Sequence, residues 1–321
     1  MAREFVSFIV VITDGLHELV ITIKNMIKNK LPLIFPLTLL GALPAAVEAQ
    51  PTAHYCPGVE GLLAASAPGP GWYLRDYNVF YTADTLDDAS GHSVGPANFN
   101  VFTYAQVPRL IWVTPLKFLG ADVGVNALLP LVYQDVKAGP YTSSTFGVGD
   151  PLVDGFMSWH LKQFDFLAAG GVWVPMGDSS APPTTDAGLG YWTGMLTLGG
   201  TWYMDAEKTW AISLLNRYEI NSEQRDTDIT PGNGYTLEWG LSKRIAKSIE
   251  VGAAGYYQRK VTTDRGPGAS SDEDSVAAIG PEIDAVIPKI DWHVSLRYLY
   301  EFMAEDRAQG QTITLTLTKR F

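Results

Sequence analysis

The last eleven residues of the chain alternate between apolar and hydroxyl-bearing side chains. Ile313, Leu315 and Leu317 share one parity with Phe321, with Lys319 as a departure, while the intervening positions carry threonines and Arg320. A period of two places successive side chains on opposite faces of a β-strand. Residues 311–321 are therefore predicted to form a strand with one apolar and one polar face.

Similar segments recur from residue 72 onward, each near the length of about 10 residues that a tilted transmembrane strand needs. Twelve strands are predicted, near residues 72–82, 98–113, 117–133, 151–162, 164–175, 191–204, 207–220, 235–243, 249–261, 275–287, 290–302 and 311–321. Alternation is clear in the second half but weak in the first two strands, where Arg75 shares parity with Tyr73, Tyr77 and Val79.

The predicted connections alternate between short turns and long polar loops. The short joins are Thr114-Pro115-Leu116, Gln163, Asp205-Ala206, Ala246-Lys247 and Pro288-Lys289. The long ones span residues 83–97, 134–150, 176–190, 221–234, 262–274 and 303–310. This sorting is typical of an outer-membrane barrel inserted from one side. Tryptophans near the predicted strand ends are expected to form interfacial belts: Trp72, Trp192, Trp202, Trp210 and Trp292.

Unpaired backbone groups cost several kcal/mol in hydrocarbon, so a sheet in lipid must have no free edge. The final strand is therefore expected to pair with the first. The predicted fold is all-β: a closed antiparallel transmembrane β-barrel of about twelve strands over residues 72–321, preceded by an N-terminal signal segment.

Residues 1–49 have the features of an export signal region. Lys28 and Lys30 precede an apolar run over residues 31–43, and Val47 and Ala49 are small residues ahead of a predicted cleavage before Gln50. A second apolar patch, residues 5–12, lies upstream. Two interpretations remain open: translation starts at Met26, or the whole region is an extended signal.

Residues 50–71 are rich in Ala, Gly and Pro, and residues 68–71 read Pro-Gly-Pro-Gly, a strong breaker of regular structure. The segment is expected to be either a flexible lead or a plug that folds into the barrel mouth. Val59, Leu62 and Leu63 give it apolar surface to bury, which favours the plug.

Composition narrows the classes of function. The net charge of −11 argues against nucleic acid as a partner. Charged residues make up 18% of the chain, below the usual fraction of about 25% for soluble domains. Cys56 is the single cysteine and cannot close an internal disulfide, and no Cys/His cluster has zinc spacing. No cofactor is expected.

The polar parity of the strands should face the interior, since a charge on the lipid face costs about 2–4 kcal/mol at the bilayer midplane. The residues expected to line the pore are Asp122, Asn126, Arg217, Glu238, Gln258, Lys260, Glu282, Arg297 and Glu301, with Glu219, Glu250, Asp284, Asp291 and Arg320 on the same faces. Charges of both signs either brace a narrow barrel or leave a wet passage that screens solutes.

A hydrolase would need a Ser-His-acid constellation. His160 and His293 lie on polar strand faces, with Ser158 and Ser295 two residues away, but they are predicted to point inward as structural residues. The loop aspartates, including Asp150, Asp178, Asp264 and Asp274, show no calcium-loop spacing. We therefore predict neither catalysis nor a metal site, with metal bridging to lipopolysaccharide left open.

Several short motifs, in order, resemble a known family. They are His54-Tyr55, Pro57-Gly58-Val59-Glu60-Gly61, residues 70–78 with Tyr81, residues 147–151, Trp159, Pro175-Met176-Gly177-Asp178, residues 188–192, residues 255–258, Gly280-Pro281, and Glu301 with Arg307. The chain resembles the phenol-degradation meta-pathway (MetA-like) outer-membrane transporter family over residues 54–321. The resemblance implies an outer-membrane barrel that passes aromatic or other hydrophobic metabolites.

The expected function is therefore passage or binding of small hydrophobic or aromatic compounds in the outer membrane of a Gram-negative bacterium. A sealed structural or surface-interaction barrel is the alternative, and an outer-membrane hydrolase is a third. The expected partners are outer-membrane lipid and lipopolysaccharide, the solute, and the barrel-assembly machinery, which would recognise the terminal strand ending in Phe321.

Overall fold

The computed structural model describes residues 53–180 and 185–321, so the predicted export signal and its cleavage site lie outside the described residues. All regular secondary structure in these two ranges is β-strand. The strands are β1 (Gly71–Asp87), β2 (Asn100–Phe118), β3 (Ala121–Leu128), β4 (Leu131–Ala138), β5 (Tyr141–Val148), β6 (Leu152–His160), β7 (Phe164–Trp173), β8 (Thr193–Tyr203), β9 (Trp210–Asn221), β10 (Gly234–Ala246), β11 (Ile249–Lys260), β12 (Ser275–Ile287), β13 (Trp292–Glu305) and β14 (Arg307–Arg320). No helix long and apolar enough to cross a membrane occurs in the described part of the chain.

The strands form one closed antiparallel sheet. The long strand β2 pairs with β3 along its second half and with β4 along its first half, because the chain breaks only at residues 129–130 between them. Likewise β5 and β6 are halves of one long strand, interrupted at residues 149–151. Each break contains a proline, which cannot donate to the ladder. The fourteen strands therefore build the predicted twelve-stranded barrel.

The barrel closes where the sequence predicted it would. Strand β14 pairs with β1 from Tyr73↔Arg320 to Asp87↔Arg307, and β1 pairs with β2 on its other side. Every strand except β5, which pairs only with β4, has a partner on both sides, so closure removes the free edges that would be costly in hydrocarbon.

The predicted long loop over residues 134–150 is wrong. Strands β4 and β5 extend through this stretch as a hairpin, from Leu131↔Val148 to Ala138↔Tyr141. The turn is at Gly139, whose φ of 61° suits glycine. Polar residues at 134, 135 and 137 concealed the strand, because a hairpin that projects beyond the membrane needs no apolar face.

The predicted turn at Thr114-Pro115-Leu116 is also wrong. These residues lie within β2, which ends at Phe118, and a shift of register between Val113 and Lys117 accommodates the proline. The turn itself follows at Leu119 and Gly120, both in the left-handed region with φ of 50° and 80°.

The predicted long loop over residues 303–310 is wrong as well, because only Asp306 separates β13 from β14. The other long connections, residues 88–99, 174–192, 222–233 and 261–274, lie at the same end of the barrel as this turn. We call this the long-loop end. The opposite short-turn end carries the connections at residues 119–120, 161–163, 204–209, 247–248 and 288–291.

The outer face of the barrel is mostly apolar, with Asp76 and Asn78 of β1 as polar exceptions that hydrogen-bond to each other. Leu198 and Leu296 are 63% and 49% exposed, whereas Arg297, on the opposite face of the same strand as Leu296, is only 2% exposed. Exposed tryptophans lie near both ends: Trp72, Trp202 and Trp210 at the short-turn end, and Trp192 at the long-loop end. Amphipathic aromatic rings favour the two membrane interfaces.

Candidate functional site

The interior of the barrel contains residues 53–69, which we call the luminal segment. At the long-loop end the His54 ring hydrogen-bonds to Thr193 (2.8 Å) and Asp150 (2.9 Å). At the short-turn end the Ser66 hydroxyl lies 3.2 Å from the Tyr203 hydroxyl. The segment therefore descends the length of the lumen and joins β1 at Gly71.

A wall of small residues accommodates the luminal segment. Leu62 and Ala65 are completely buried. A Cβ atom added to Gly240 would lie 2.5 Å from the Leu62 carbonyl oxygen, and one added to Gly199 would lie 2.8 Å from the Ala65 Cβ. These inward positions of β10 and β8 therefore leave room for the segment because they lack side chains.

Glu60 is the electrostatic centre of the luminal segment. Its carboxylate accepts hydrogen bonds from Arg109 (2.7 Å), Arg75 (3.1 Å) and the Tyr77 hydroxyl (3.1 Å), and Arg217 lies 3.6 Å away. Burial alone would raise the pKa of Glu60, but Arg109, Arg75 and Arg217 outweigh burial and lower it to about 2. Glu60 is therefore ionised at physiological pH.

Glu238, predicted from its parity, holds the backbone of the luminal segment. Its carboxylate accepts hydrogen bonds from the backbone N–H groups of Gly58 (2.9 Å) and Glu60 (3.2 Å) and from the Tyr55 hydroxyl (2.6 Å). Arg217 forms a salt bridge with the same carboxylate. The predicted pair Arg217 and Glu238 is therefore brought together against the segment.

Arg297 and Glu282 form a second predicted pair that contacts the segment. Two guanidinium nitrogens of Arg297 donate to the Glu282 carboxylate at 2.7 and 2.9 Å, and Ser295 donates to it at 2.7 Å. Arg297 also donates to the Gly58 carbonyl oxygen. This bidentate pair thus braces neighbouring strands and fixes the segment at once.

The other predicted positions lie further from the centre. Gln258 donates to the Tyr55 carbonyl oxygen at 3.1 Å. Glu301 accepts from the Tyr81 and Tyr256 hydroxyls at 3.0 and 2.5 Å, and Lys260 pairs with Asp264 at 3.1 Å.

Asp122 and Asn126 face the wall rather than the segment. Asn126 accepts a hydrogen bond from Arg109 at 2.9 Å and donates to Asp154. Asp122 accepts from Lys117 at 2.6 Å. These two predicted positions connect β2, β3 and β6, and Asn126 supports the Arg109 side chain that reaches Glu60.

The His54 ring occupies a closely fitting aromatic pocket. It stacks on Trp173 with ring centroids 5.5 Å apart and meets Tyr191 edge-on at 4.8 Å. Asp150, which accepts the His54 hydrogen bond, also accepts the backbone N–H groups of Gly177 and Leu189, both at 2.8 Å. One carboxylate therefore joins the luminal segment to the long loop over residues 174–192.

The surroundings lower the pKa values of both ionisable groups in this pocket, His54 and Asp150. Burial lowers the pKa of His54, although Asp150 opposes the change. Burial would raise the pKa of Asp150, but hydrogen bonds from His54, Leu189 and Gly177 hold it below its usual value. The carboxylate form of Asp150 is thus the one that the pocket stabilises.

Sequence reasoning did not assign roles to His54, Glu60 or Asp150. None of them lies in a strand, so the period-two pattern gives no information about their direction. The available signal was Arg75, whose parity with three aromatic or apolar residues places a cation on the inner face of β1. An inward arginine requires a carboxylate, and Glu60 is that carboxylate.

Ser158, His160 and Asp165 are ordered like a catalytic triad. The Ser158 hydroxyl lies 3.2 Å from His160 Nε2, and His160 Nδ1 lies 3.1 Å from Asp165. However, Ser158 is only 1% exposed, and it pairs with Asp122 and Leu167 within the sheet ladder. A nucleophile in mid-strand lacks the free backbone N–H groups that an oxyanion hole requires.

His293 lies 3.7 Å from Asp284, whereas Ser295 donates a hydrogen bond to Glu282. His293 and Ser295 therefore do not form a Ser-His pair. Among the described residues, no group of three or more His, Cys, Asp or Glu side chains is placed to hold a metal ion.

Space remains beside the luminal segment at the short-turn end. A cavity of about 210 Å³ lies there, lined among others by Pro68, Tyr73, Arg75, His293 and Arg320. Cys56, nearer the long-loop end, has an exposed side chain. The segment therefore does not fill the whole cross-section at these two levels.

Comparison with known proteins gives the following similarities. The sequence model of the family described as "Putative MetA-pathway of phenol degradation" matches residues 83–317. The fold resembles an outer membrane channel from Pseudomonas putida F1, with a TM-score of 0.72 and 15% identity over 83% of this chain and 100% of that one. It also resembles the β domain of the Bordetella autotransporter BrkA, with a TM-score of 0.51 and 13% identity over 79% and 100% of the two chains. None of the curated proteins matches the chain. The structural similarities establish the fold, that of an outer-membrane β-barrel.

Proposed function

Because the chain belongs to this phenol-degradation MetA-pathway family, we propose that it is an outer-membrane barrel that passes small hydrophobic or aromatic compounds without catalysis or cofactor. The channel from Pseudomonas putida, which shares the fold over most of both chains, supports a role in transport. The predicted inward residues would line the passage.

The observation that carries the proposal is the luminal segment itself. A twelve-stranded barrel is narrow, and here buried ion pairs and the segment occupy much of its interior. Such a lumen excludes a broad diffusion pore for hydrophilic solutes. We therefore assign residues 53–69 the role of a plug that moves when a small solute passes.

Uptake by intact cells tests this function. The initial rate of uptake of radiolabelled phenol, toluene and glucose is measured in a strain lacking the protein and in the same strain complemented with it. We expect the protein to accelerate entry of the aromatic compounds at low external concentration and to leave glucose uptake unchanged. Equal aromatic uptake in both strains would contradict the proposal.

A sealed structural barrel is the second candidate. The complete burial of Leu62 and its close packing against Gly240 of the wall favour it. Planar-bilayer recordings separate the two functions. A plugged transporter shows brief openings that become more frequent when an aromatic solute is added, whereas a sealed barrel stays silent with and without solute.

We also propose that the terminal strand is recognised by the barrel-assembly machinery and that the outer face contacts lipid and lipopolysaccharide. Phe321 follows β14, and its backbone N–H donates to the Trp72 carbonyl oxygen at 3.0 Å. Deleting Phe321 should lower the amount of folded barrel in the outer membrane. A Phe321→Tyr variant, which keeps the ring, should assemble normally.

A further inference from the structure

The pocket around His54 has the features of a ligand site that the chain itself fills. A planar aromatic ring lies against the Trp173 indole and the edge of Tyr191. Its two polar edge atoms each meet a polar group, the Asp150 carboxylate at 2.9 Å and the Thr193 hydroxyl at 2.8 Å. The contacts of His54 thus define the shape and polarity that the pocket accepts.

A hydroxylated single-ring aromatic compound can make the ring contacts and the Asp150 contact of His54. Its ring can stack on Trp173, which favours offset or edge-on aromatic partners. Its hydroxyl can donate to Asp150, and a charged acceptor strengthens that hydrogen bond. The buried Trp173 Nε1 has no hydrogen-bond partner among the described residues, so it can donate to the oxygen of such a ligand.

The pocket is too closed to hold both rings. The side chains of His54 and Asp150 are only 3% and 1% exposed. A ligand must therefore replace the imidazole rather than bind beside it. Because His54 begins the luminal segment, replacing it removes the contact that ties the segment to Asp150 and, through Asp150, to the long loop.

We propose that the pocket formed by Trp173, Tyr191, Asp150 and Thr193 binds a phenol-class ring in place of His54, so that solute binding and the seating of His54 exclude each other. This assignment rests on the proposed function, since it identifies the substrate class and the event that detaches the His54 end of the luminal segment. It requires no covalent step.

Competition makes a distinctive prediction about His54 itself. The apparent affinity of a site that is open only in a fraction of molecules is reduced by that fraction. His54→Ala removes the competing ring, so phenol should bind at least about tenfold more tightly than to the parent protein. A direct ligand residue would give the opposite result on substitution.

The experiment is equilibrium dialysis of radiolabelled phenol against the purified barrel in detergent, with protein-free micelles subtracted. Asp150→Asn in the His54→Ala background keeps the side-chain shape, removes the charged acceptor, and should weaken phenol binding severalfold. Toluene lacks the hydroxyl and cyclohexanol lacks the ring, so both should bind more weakly than phenol. His92→Ala, at an exposed loop histidine with a 79% exposed side chain, is the matched control and should behave like the parent.

A second readout follows the plug directly. Cys56, the single cysteine, lies two residues from His54 and is exposed in the lumen, so a spin label on it reports segment mobility. Phenol should raise the mobile fraction of the label in the parent protein, whereas toluene and cyclohexanol should raise it less.

Two outcomes would overturn the inference: phenol binding to His54→Ala that is no tighter than to the parent, or partition of phenol into micelles only. Both are independent of the uptake experiment. If the pocket binds phenol as described but cells show no protein-dependent uptake, the proposed transport is wrong while the binding site stands.

Discussion

Glu60 is the residue on which the interior charge converges. Three arginines from β1, β2 and β9 face its carboxylate, and it belongs to the luminal segment rather than to the wall. Removing one partner of a buried ion pair leaves the other charges uncompensated, which typically costs about 3–5 kcal/mol. The Glu60 side chain should therefore contribute strongly to the stability of the seated segment.

We predict that Glu60→Gln unseats the luminal segment without unfolding the barrel. The amide keeps the shape of the side chain but leaves Arg75 without a counter-charge, and it leaves Arg109 and Arg217 with only Asp154 and Glu238, respectively. A spin label on Cys56 should show a larger mobile fraction than in the parent, while heat-modifiable migration on gels stays that of a folded barrel. Glu207→Gln, in an exposed turn, is the control. An unchanged mobile fraction in Glu60→Gln would contradict the role assigned to this carboxylate.

Acid should weaken the attachment of the segment at His54. The pKa of the seated His54 lies below its ordinary value of about 6.5. The released segment therefore binds protons more readily than the seated one. Seating is fully favoured above pH ~6.5 and declines as the pH falls below that value.

Asp150 acts in the same direction at lower pH. Its depressed pKa means that its contribution is present above its ordinary pKa of about 3.9 and is lost as the pH falls further. Because His54 is released more readily in acid, the mobile fraction of the Cys56 label should rise between pH 7 and pH 5. His54→Asn should abolish that rise. A flat profile in the parent protein would contradict this prediction.

At the scale of elements, the residue pattern of each strand depends on what its inner face contacts. The inner face of β1 carries Tyr73, Arg75 and Tyr77 because it contacts the luminal segment rather than water. Asp76 and Asn78, on the opposite parity, hydrogen-bond to each other. Alternation is therefore weak on this strand, whereas β13, with an apolar outer face and Arg297 inside, follows the simple rule.

The glycine wall predicts the effect of a larger side chain at one inward position. Gly240→Val should force the luminal segment away, because the added Cβ meets the Leu62 backbone within 2.5–2.8 Å. Overpacking of this kind typically costs about 1–3 kcal/mol. Single-channel recordings should show longer or more frequent openings. Gly194→Val is the control, because its nearest neighbour would be the Ile220 carbonyl oxygen at 4.0 Å. Equal opening frequencies and durations in the two variants would contradict the close contact between Gly240 and Leu62.

Much of the fold follows from the sequence because a strand between lipid and lumen must alternate apolar and polar side chains. Apolar alternation gave twelve strands, the β1–β14 closure and the inward positions such as Glu238 and Arg297. This alternation fails where the wall leaves the membrane. Polar residues interrupt the β4–β5 hairpin, although Val136 packs against Phe99 and Val101, and the ends of β13 and β14 pair with β12 and β1, so these sequences resemble loops.

The candidate site was harder to predict, since it is made by a segment without regular structure. Residues 53–69 offered apolar surface and a proline-glycine ending, but nothing in their spacing indicated that His54 would meet Asp150, 96 positions later, or that Glu60 would meet Arg217. Such contacts depend on the three-dimensional path through the lumen.

At the scale of the whole molecule, we predict that the barrel wall and the luminal segment are separable. The sheet closes through backbone pairing that does not involve residues 53–69. We predict that deleting these residues leaves a folded barrel of lower thermal stability and markedly higher conductance, because buried arginines lose Glu60 while the lumen empties.

A synthetic peptide covering residues 53–69, added to the short-turn side of the deletion variant, is the matched test of the seat. It should reduce the conductance, and the same peptide with Gln at position 60 should do so poorly. A deletion variant with the low conductance of the parent would show that the segment does not block the lumen.

The join between the luminal segment and β1 has a further consequence. Residues 68–71 form a Pro-Gly-Pro-Gly link at the short-turn end, and Gly71 has a φ of 153°, which suits glycine. A luminal segment that leaves the lumen therefore remains covalently attached at the short-turn end. Its effective concentration there is in the millimolar range typical of short linkers. Once the solute has departed, the barrel should reset itself by a first-order step whose rate is independent of the number of barrels in the membrane.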